Sequence, residues 1–124
     1  MITGRVTPDR EAVVRLRIEA PNGRSEVIEA VVDTGFTGFV ALPGDLIGRL
    51  GLPIKGLQDT TLADGTGAVL VAYEPVVHWM GRRLVVTALE VEDEALLGMA
   101  LLLGSLLTME IKDGGRVKIV PMAL

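Results

Sequence analysis

A chain of 124 residues with 16 acidic and 12 basic side chains has a formal net charge of −4; 49% of it is hydrophobic and only 3% aromatic. That length fits one domain, residues 1–124, with a core of Val, Leu, Ile, Ala and Met. The lack of Cys excludes disulfides, thiol catalysis and cysteine metal sites, and the lack of a basic block removes the electrostatic footprint of a nucleic-acid binder.

Met1 to Arg10 hold no apolar run of the kind a secretory signal needs. The longest apolar run, Leu96 to Leu107, falls short of the ~20 residues of a membrane helix. A cytoplasmic protein with no membrane partner is the expectation. Val14, Leu16, Ile18 and Ala20 alternate with Arg15, Arg17 and Glu19, which predicts a half-buried strand. Pro21-Asn22-Gly23 is a turn signal, and Val27 to Val32 return as a second, more buried strand of a hairpin ending at Asp33. Phe39 to Leu42 read as a short strand. Pro43 opens a short helix over Gly44 to Leu50, which Gly51 stops.

Ile54 to Leu62 and Ala68 to Tyr73 flank Ala63-Asp64-Gly65-Thr66-Gly67, a hairpin with an Asp-Gly tip. Val76 to Met80 and Leu84 to Val91, joined at Gly81, suggest another hairpin. Glu90, Glu92, Asp93 and Glu94 mark an acidic surface turn; they lack the Gly-centred spacing of a calcium loop. Leu96-Leu97 is a short apolar element, and Met99 to Leu107 read as helical. Met109 to Ile111 and Val117 to Val120 close the chain across Asp113-Gly114-Gly115. Many short strands with regular turns and one or two short helices predict a mostly-β barrel or sandwich.

Asp33-Thr34-Gly35 is the motif with chemical content. An apolar strand delivers a carboxylate, Thr34 offers a hydroxyl, and Gly35 permits a sharp turn with open backbone N–H groups. Alone, the tripeptide reads first as a turn or helix cap. Gly65 and Gly67 alone mark an ordinary hairpin, and no Gly-Lys-Ser/Thr follows to make a phosphate loop. His78 is the single histidine, which leaves the usual zinc sets and a catalytic triad without members; it reads as a strand residue at a surface or sheet edge. Trp79 reads as a packing anchor. No metal site and no cofactor are implied.

In order along the chain stand Asp33-Thr34-Gly35, the tip Asp64-Gly65-Thr66-Gly67, and Leu96-Leu97-Gly98 before a helix. This order resembles the retropepsin-like aspartic proteases, single-lobed relatives of retroviral proteases. The run Asp33 to Pro43 looks especially like their small prokaryotic members. The resemblance covers about Val14 to Val120 and implies a closed or partly closed β-barrel. It further implies a homodimer in which Asp33 of each subunit meets its copy and activates a water against a peptide or protein substrate. Thr34 and Gly35 would brace the active-site loop, Leu96, Leu97 and Gly98 would support it from behind, and Asp64, Gly65, Thr66 and Gly67 would form a flap. The terminal segments would be interface strands. The chain departs from many relatives at Met99 and Ala100, where they place a polar residue, and the flap tip lacks the aromatic of two-lobed relatives. A fold of this kind that binds peptide without cleaving it, and a purely structural β-domain, are the readings from other classes.

Overall fold

Period-two alternation builds the first part of the sheet. The computed structural model describes residues 1–62 and 64–123; Ala63, part of the expected hairpin tip, lies outside the described residues. β1 (Ile2–Val6), β2 (Ala12–Glu19) and β3 (Ser25–Val32) form an antiparallel meander. Along β2 Val14, Leu16 and Ile18 face the core, while Arg15 and Arg17 between them are exposed. One edge of β2 pairs with β3 from Val13 to Glu19. The other is shared between β1 at Ala12–Val14 and β7 (Val76–Trp79) at Arg17–Glu19, so the sheet forks there.

The chain then passes through residues 33–39 into β4 (Val40–Pro43) and α1 (Gly44–Leu50). α1 buries Leu46, Ile47 and Leu50 and ends at Gly51, whose φ of 64° lets its N–H reach the carbonyls of Ile47 and Gly48. β5 (Ile54–Thr61) and β6 (Gly67–Tyr73) make a long hairpin, and β7 with β8 (Arg82–Val85) a short one. β9 (Ala88–Val91), β10 (Leu96–Leu97), α2 (Met99–Leu102), β11 (Ser105–Met109) and β12 (Arg116–Pro121) complete the chain. Strands neighbour one another in the order β11-β12-β1-β2-β3-β10-β4-β9-β6-β5, with β7 and β8 branching from β2. Among the described residues an apolar cluster joins most of them, β5 excepted, and includes Leu16 and Ile18 of β2, Leu42 of β4, Trp79 of β7, Leu97 of β10 and Ile119 of β12.

The mostly-β class with short helices is what forms, and the hairpins at Pro21-Asn22-Gly23 and around Gly65 fall where expected. The ladder among the described residues is an open path, with β11 and β5 at its ends, and not a hydrogen-bonded closed barrel. β3 is the less buried strand of its hairpin: Val27 is exposed and only Ala30 is fully covered, because the apolar cluster is built on β2. The expected helix from Met99 to Leu107 stops at Leu102. Gly104, at φ 86°, turns the chain into β11, whose residues Ser105 to Met109 pair with β12. Leu84 to Val91 divides at residues 86 and 87. Its first half stays with β7, and its second half, β9, crosses to lie parallel to β4. β1 has no strong alternation in sequence. It is held by β12 on one side and β2 on the other, and Gly4 is required there because a Cβ would meet the backbone of Val13.

Candidate active site

Three elements meet around Asp33. The short β10 lies between β3 and β4, parallel to β3 (Leu96 opposite Val31, Leu97 opposite Val32) and antiparallel to β4 (Leu97 opposite Val40). Val31 N–H donates to Ala95 O at 2.8 Å, and Asp33 N–H donates to Leu97 O at 2.9 Å, so the backbone of the aspartate is tied to β10. Leu97 is fully buried. The loop leaving Asp33 folds back over the same element. Phe36 N–H reaches Asp33 O at 3.1 Å, Gly98 N–H reaches Phe39 O at 2.9 Å, Met99 N–H reaches Phe36 O at 2.8 Å, and Ala100 N–H reaches Gly38 O at 3.1 Å.

Gly98 is the crossing point. A Cβ there would come within 2.6 Å of the Phe36 ring and 2.8 Å of Phe36 O, and would clash with Gly38 O. Only hydrogen at this position lets loop 36–38 lie against β10 and the start of α2. Asp33 is half-buried as a residue, and its side-chain Oδ1 accepts the Gly35 N–H at 2.9 Å in an exposed hydrogen bond. That bond closes an Asx turn and fixes the side chain within the loop. Thr34 and Gly35 are exposed beside it.

A groove of about 940 Å³ runs between this loop and the β5–β6 hairpin. Gly35, Phe36, Thr37 and Gly38 form one wall; Gln58 to Thr61 and Gly67 to Val69 form the other, with Leu89 also lining it. On its far flank Asp33 borders a smaller depression, about 380 Å³, together with Val32, Leu96, Met109 and Ile111. Asp33 thus stands between two concavities: its loop walls the large one, and the residue itself lines the small one.

Of the residues singled out in the sequence, Asp33, Thr34, Gly35, Leu96, Leu97 and Gly98 come together in this crossing. Gly67 lines the groove, whereas Asp64, Gly65 and Thr66 sit at the far end of the hairpin and do not line it. At that tip Asp64 Oδ1 accepts the Thr66 hydroxyl at 2.6 Å and the Thr66 N–H at 2.9 Å. The Thr66 hydroxyl, and then its N–H, hold the Asp64 carboxyl below the usual carboxylate range. Phe36, Thr37, Gly38, Gln58, Asp59 and Val69 were missed as groove residues. Phe36, directly after the motif in a chain poor in aromatics, was the one legible signal.

His78 lies in β7, apart from Asp33 in the pairing, where its Nε2 is 3.0 Å from Glu19 Oε1; Glu19 also pairs with Arg83. Those two partners, His78 first, hold the Glu19 carboxyl below its ordinary value. Among the described residues no group of three or more His, Cys, Asp or Glu is placed to hold a metal ion. Nor is any helix among them long and apolar enough to cross a membrane.

No protein-family model matches the chain. No curated protein matches it either. Among solved structures, a retropepsin-like aspartic protease from Rickettsia conorii is similar over 98% of this chain and 91% of its own, at a TM-score of 0.57 and 20% sequence identity. At that identity the likeness is one of fold: the chain has the overall architecture of a retropepsin-like aspartic protease.

Proposed function

We propose that this protein is an aspartic endopeptidase whose catalytic unit is a homodimer. The observation that carries the reading is the seating of Asp33. A carboxylate is held by Gly35 N–H and tied through its backbone to a buried β10, beside a peptide-sized groove, in a fold shared with a retropepsin-like protease. One chain supplies one such carboxylate. A two-fold axis through the small depression bordered by Asp33 would bring the second, since a C2 interface places identical residues against each other. Exposed apolar side chains favour burial on that side: Met109 and Ile111 share the depression with Asp33, and Ile111 is 73% exposed.

Two carboxylates brought together in this way cannot both ionise, and aspartic proteases are the standard case of such a pair sharing one proton. The ionised member takes a proton from water as the water attacks the scissile carbonyl. The protonated member donates to the carbonyl oxygen, giving a tetrahedral intermediate with no covalent enzyme adduct. Gly35, beside the carboxylate, supplies the N–H that holds its orientation. The β5–β6 hairpin would act as the flap. An extended peptide in the groove would lie against β5 and β6, and closure would exclude water.

The test is cleavage of a diverse peptide library from about pH 3 to about pH 8, with wild type and Asp33→Asn compared over a range of protein concentrations. Cleavage that is lost in Asp33→Asn, is greatest at acidic pH and rises faster than linearly with concentration is the expected result. Folded, dimeric protein that cleaves nothing overturns the reading and leaves a peptide-binding module of the same fold.

A further inference from the structure

The side of the sheet away from the core collects charge of the sign opposite to the chain's. Along β2, Arg15 and Arg17 alternate with the buried Val14, Leu16 and Ile18, so they point out of the fold. Register carries that side across the neighbouring strands. Arg5 of β1 stands opposite Val13, on the face of Arg15 and Arg17, and opposite Arg116 of β12; Thr3 stands opposite Lys118. Arg17 stands opposite His78 of β7, and His78 opposite Arg83 of β8. The side-chain contacts agree. Arg5 reaches over β2 to Glu29 of β3 at 2.7 Å, Arg17 donates to Ser25 Oγ at 3.2 Å, and His78 and Arg83 both meet Glu19.

Arg5, Arg15, Arg17, Arg83, Arg116 and Lys118, half of the chain's 12 basic residues, thus share one side of a protein whose net charge is −4. The sequence shows no basic block because alternate positions of separate strands supply them. Glu29 and Glu19 are taken by Arg5 and Arg83, and Arg15 acts on Glu29 only at longer range. Glu110 is turned onto the backbone N–H of Arg116 at 2.8 Å. Among the described residues no carboxylate is in an ion pair with Arg15, Arg17, Arg116 or Lys118. Apolar side chains stand among these cations: Val27, opposite Arg17, is 49% exposed, and Val85, two residues from Arg83, is 66% exposed.

We infer that this side of the sheet docks an acidic protein segment, whose carboxylates meet Arg15, Arg17 and Lys118 while its apolar side chains cover Val27 and Val85. Two features select that occupant. Uncompensated cations gathered on one side of an acidic protein are complementary to a negative partner and steer its approach. The exposed valines between them gain from being covered by apolar groups, which a phosphate backbone does not bring. None of these residues lines the groove or the depression at Asp33, so the inference does not depend on catalysis there. Each exposed pair contributes up to about 5-fold in Kd at low salt, and screening reduces it.

Fluorescence anisotropy tests it with blocked peptides carrying a neutral dye: one alternates glutamate with valine, one glutamate with serine, and one lysine with valine. Duplex DNA and anionic lipid vesicles are added as competitors. The proteins are wild type, Arg15→Glu/Arg17→Glu, the milder Arg15→Gln/Arg17→Gln, and Lys55→Glu, which reverses a charge on the β5–β6 hairpin instead. The expected result is that the glutamate–valine peptide binds tightest. Reversing both arginines should weaken it about 10-fold at low salt, the Gln pair should weaken it less, and Lys55→Glu should leave it unchanged. No binding of that peptide, equal binding of the serine or lysine peptide, or an equal loss in Lys55→Glu overturns the inference. Tighter binding of DNA or vesicles overturns it in favour of a phosphate-bearing partner. A sedimentation mass that falls in Arg15→Glu/Arg17→Glu overturns it in favour of a second copy of the chain.

Discussion

The crossing around Asp33 and the β5–β6 hairpin face each other across one groove, yet they are held in opposite ways. At the crossing, loop 33–39 is bonded to β10 and α2 by Asp33, Met99, Gly98 and Ala100 backbone groups, and Leu97 beneath it is fully buried. The hairpin joins the rest of the sheet mainly at its base, through Ala72 and Tyr73 against β9, and Ala72 is its single buried residue among those described. Leu57, Ile54 and Val69 stand exposed along it. The contrast shows where this chain keeps its precision and where it keeps its freedom. On the proposed function, a carboxylate meeting its copy across an axis would have to be fixed from behind, whereas a cover over a groove would have to open.

The comparison breaks most severely if the floor of the crossing is hollowed. Leu97→Ala removes a wholly buried side chain between β3 and β4, and urea denaturation should show a loss of about 2–5 kcal/mol. A loss under about 0.5 kcal/mol would mean the crossing is not the rigid half of the pair. Next comes Gly98→Ala. Its Cβ has no space against Phe36 and Gly38, so the loop must lift, at about 1–3 kcal/mol of strain. Because the loop also carries Asp33, peptide cleavage should fall further than stability alone explains. Variant protein with full stability and full activity would show that the loop does not rest on Gly98.

How far these two regions could be read in advance differs for physical reasons. The hairpin was legible because Asp64-Gly65 and the apolar runs on either side are local signals: a turn chemistry and a strand pattern within one stretch of chain. The sequence order of Asp33-Thr34-Gly35 and Leu96-Leu97-Gly98 pointed to the crossing, and the two do meet. The contacts that make it were not local. Gly98 is needed because of Phe36 and Gly38, far away in sequence, and no pattern within residues 96–107 says so. The same blindness turned Met99 to Leu107 into one helix. Its second half is apolar enough for either state, and pairing with β12 decides for strand. β9 leaves its sequence neighbour β8 for β4, a choice made by the sheet and not by residues 84–91. Gln58 as a groove residue was invisible for a related reason: exposed strand positions look alike until the opposite wall is known.

On the hairpin side the effects should be small in stability. Leu57→Ser alters a side chain that is 75% exposed, and the unfolding midpoint should stay within about 0.5 kcal/mol of wild type. A larger loss would reveal a partner for that face in solution and would end the picture of a loosely held cover.

Acidification sharpens the contrast at the finest scale, because the two regions respond with opposite signs. At the hairpin tip the Asp64 carboxyl is held below its usual range by Thr66. A depressed folded-state value contributes order that is present above the ordinary aspartate range and is lost as pH falls through the folded value. Beside the crossing, Glu11, which also lines the small depression with Asp33, lies near Glu94, which immediately precedes Ala95 and β10. The Glu94 carboxyl, then burial, then the Asp9 charge raise Glu11 above its ordinary value. A raised folded-state value acts the other way. Its contribution is complete below the ordinary glutamate range and disappears as pH climbs through the folded value. Amide exchange, corrected for its intrinsic pH dependence, should therefore show Thr66 losing protection in acid while residues 92–95 gain it. The global unfolding transition should barely move, since Asp64 is exposed and Glu11 is only half-buried. Changes of the same sign at both places, or none at Thr66, would show that the tip is not organised by Asp64. If the signs are opposite, acid loosens the tip of the β5–β6 hairpin and tightens the segment that leads into β10, so the contrast between the two walls of the groove depends on pH.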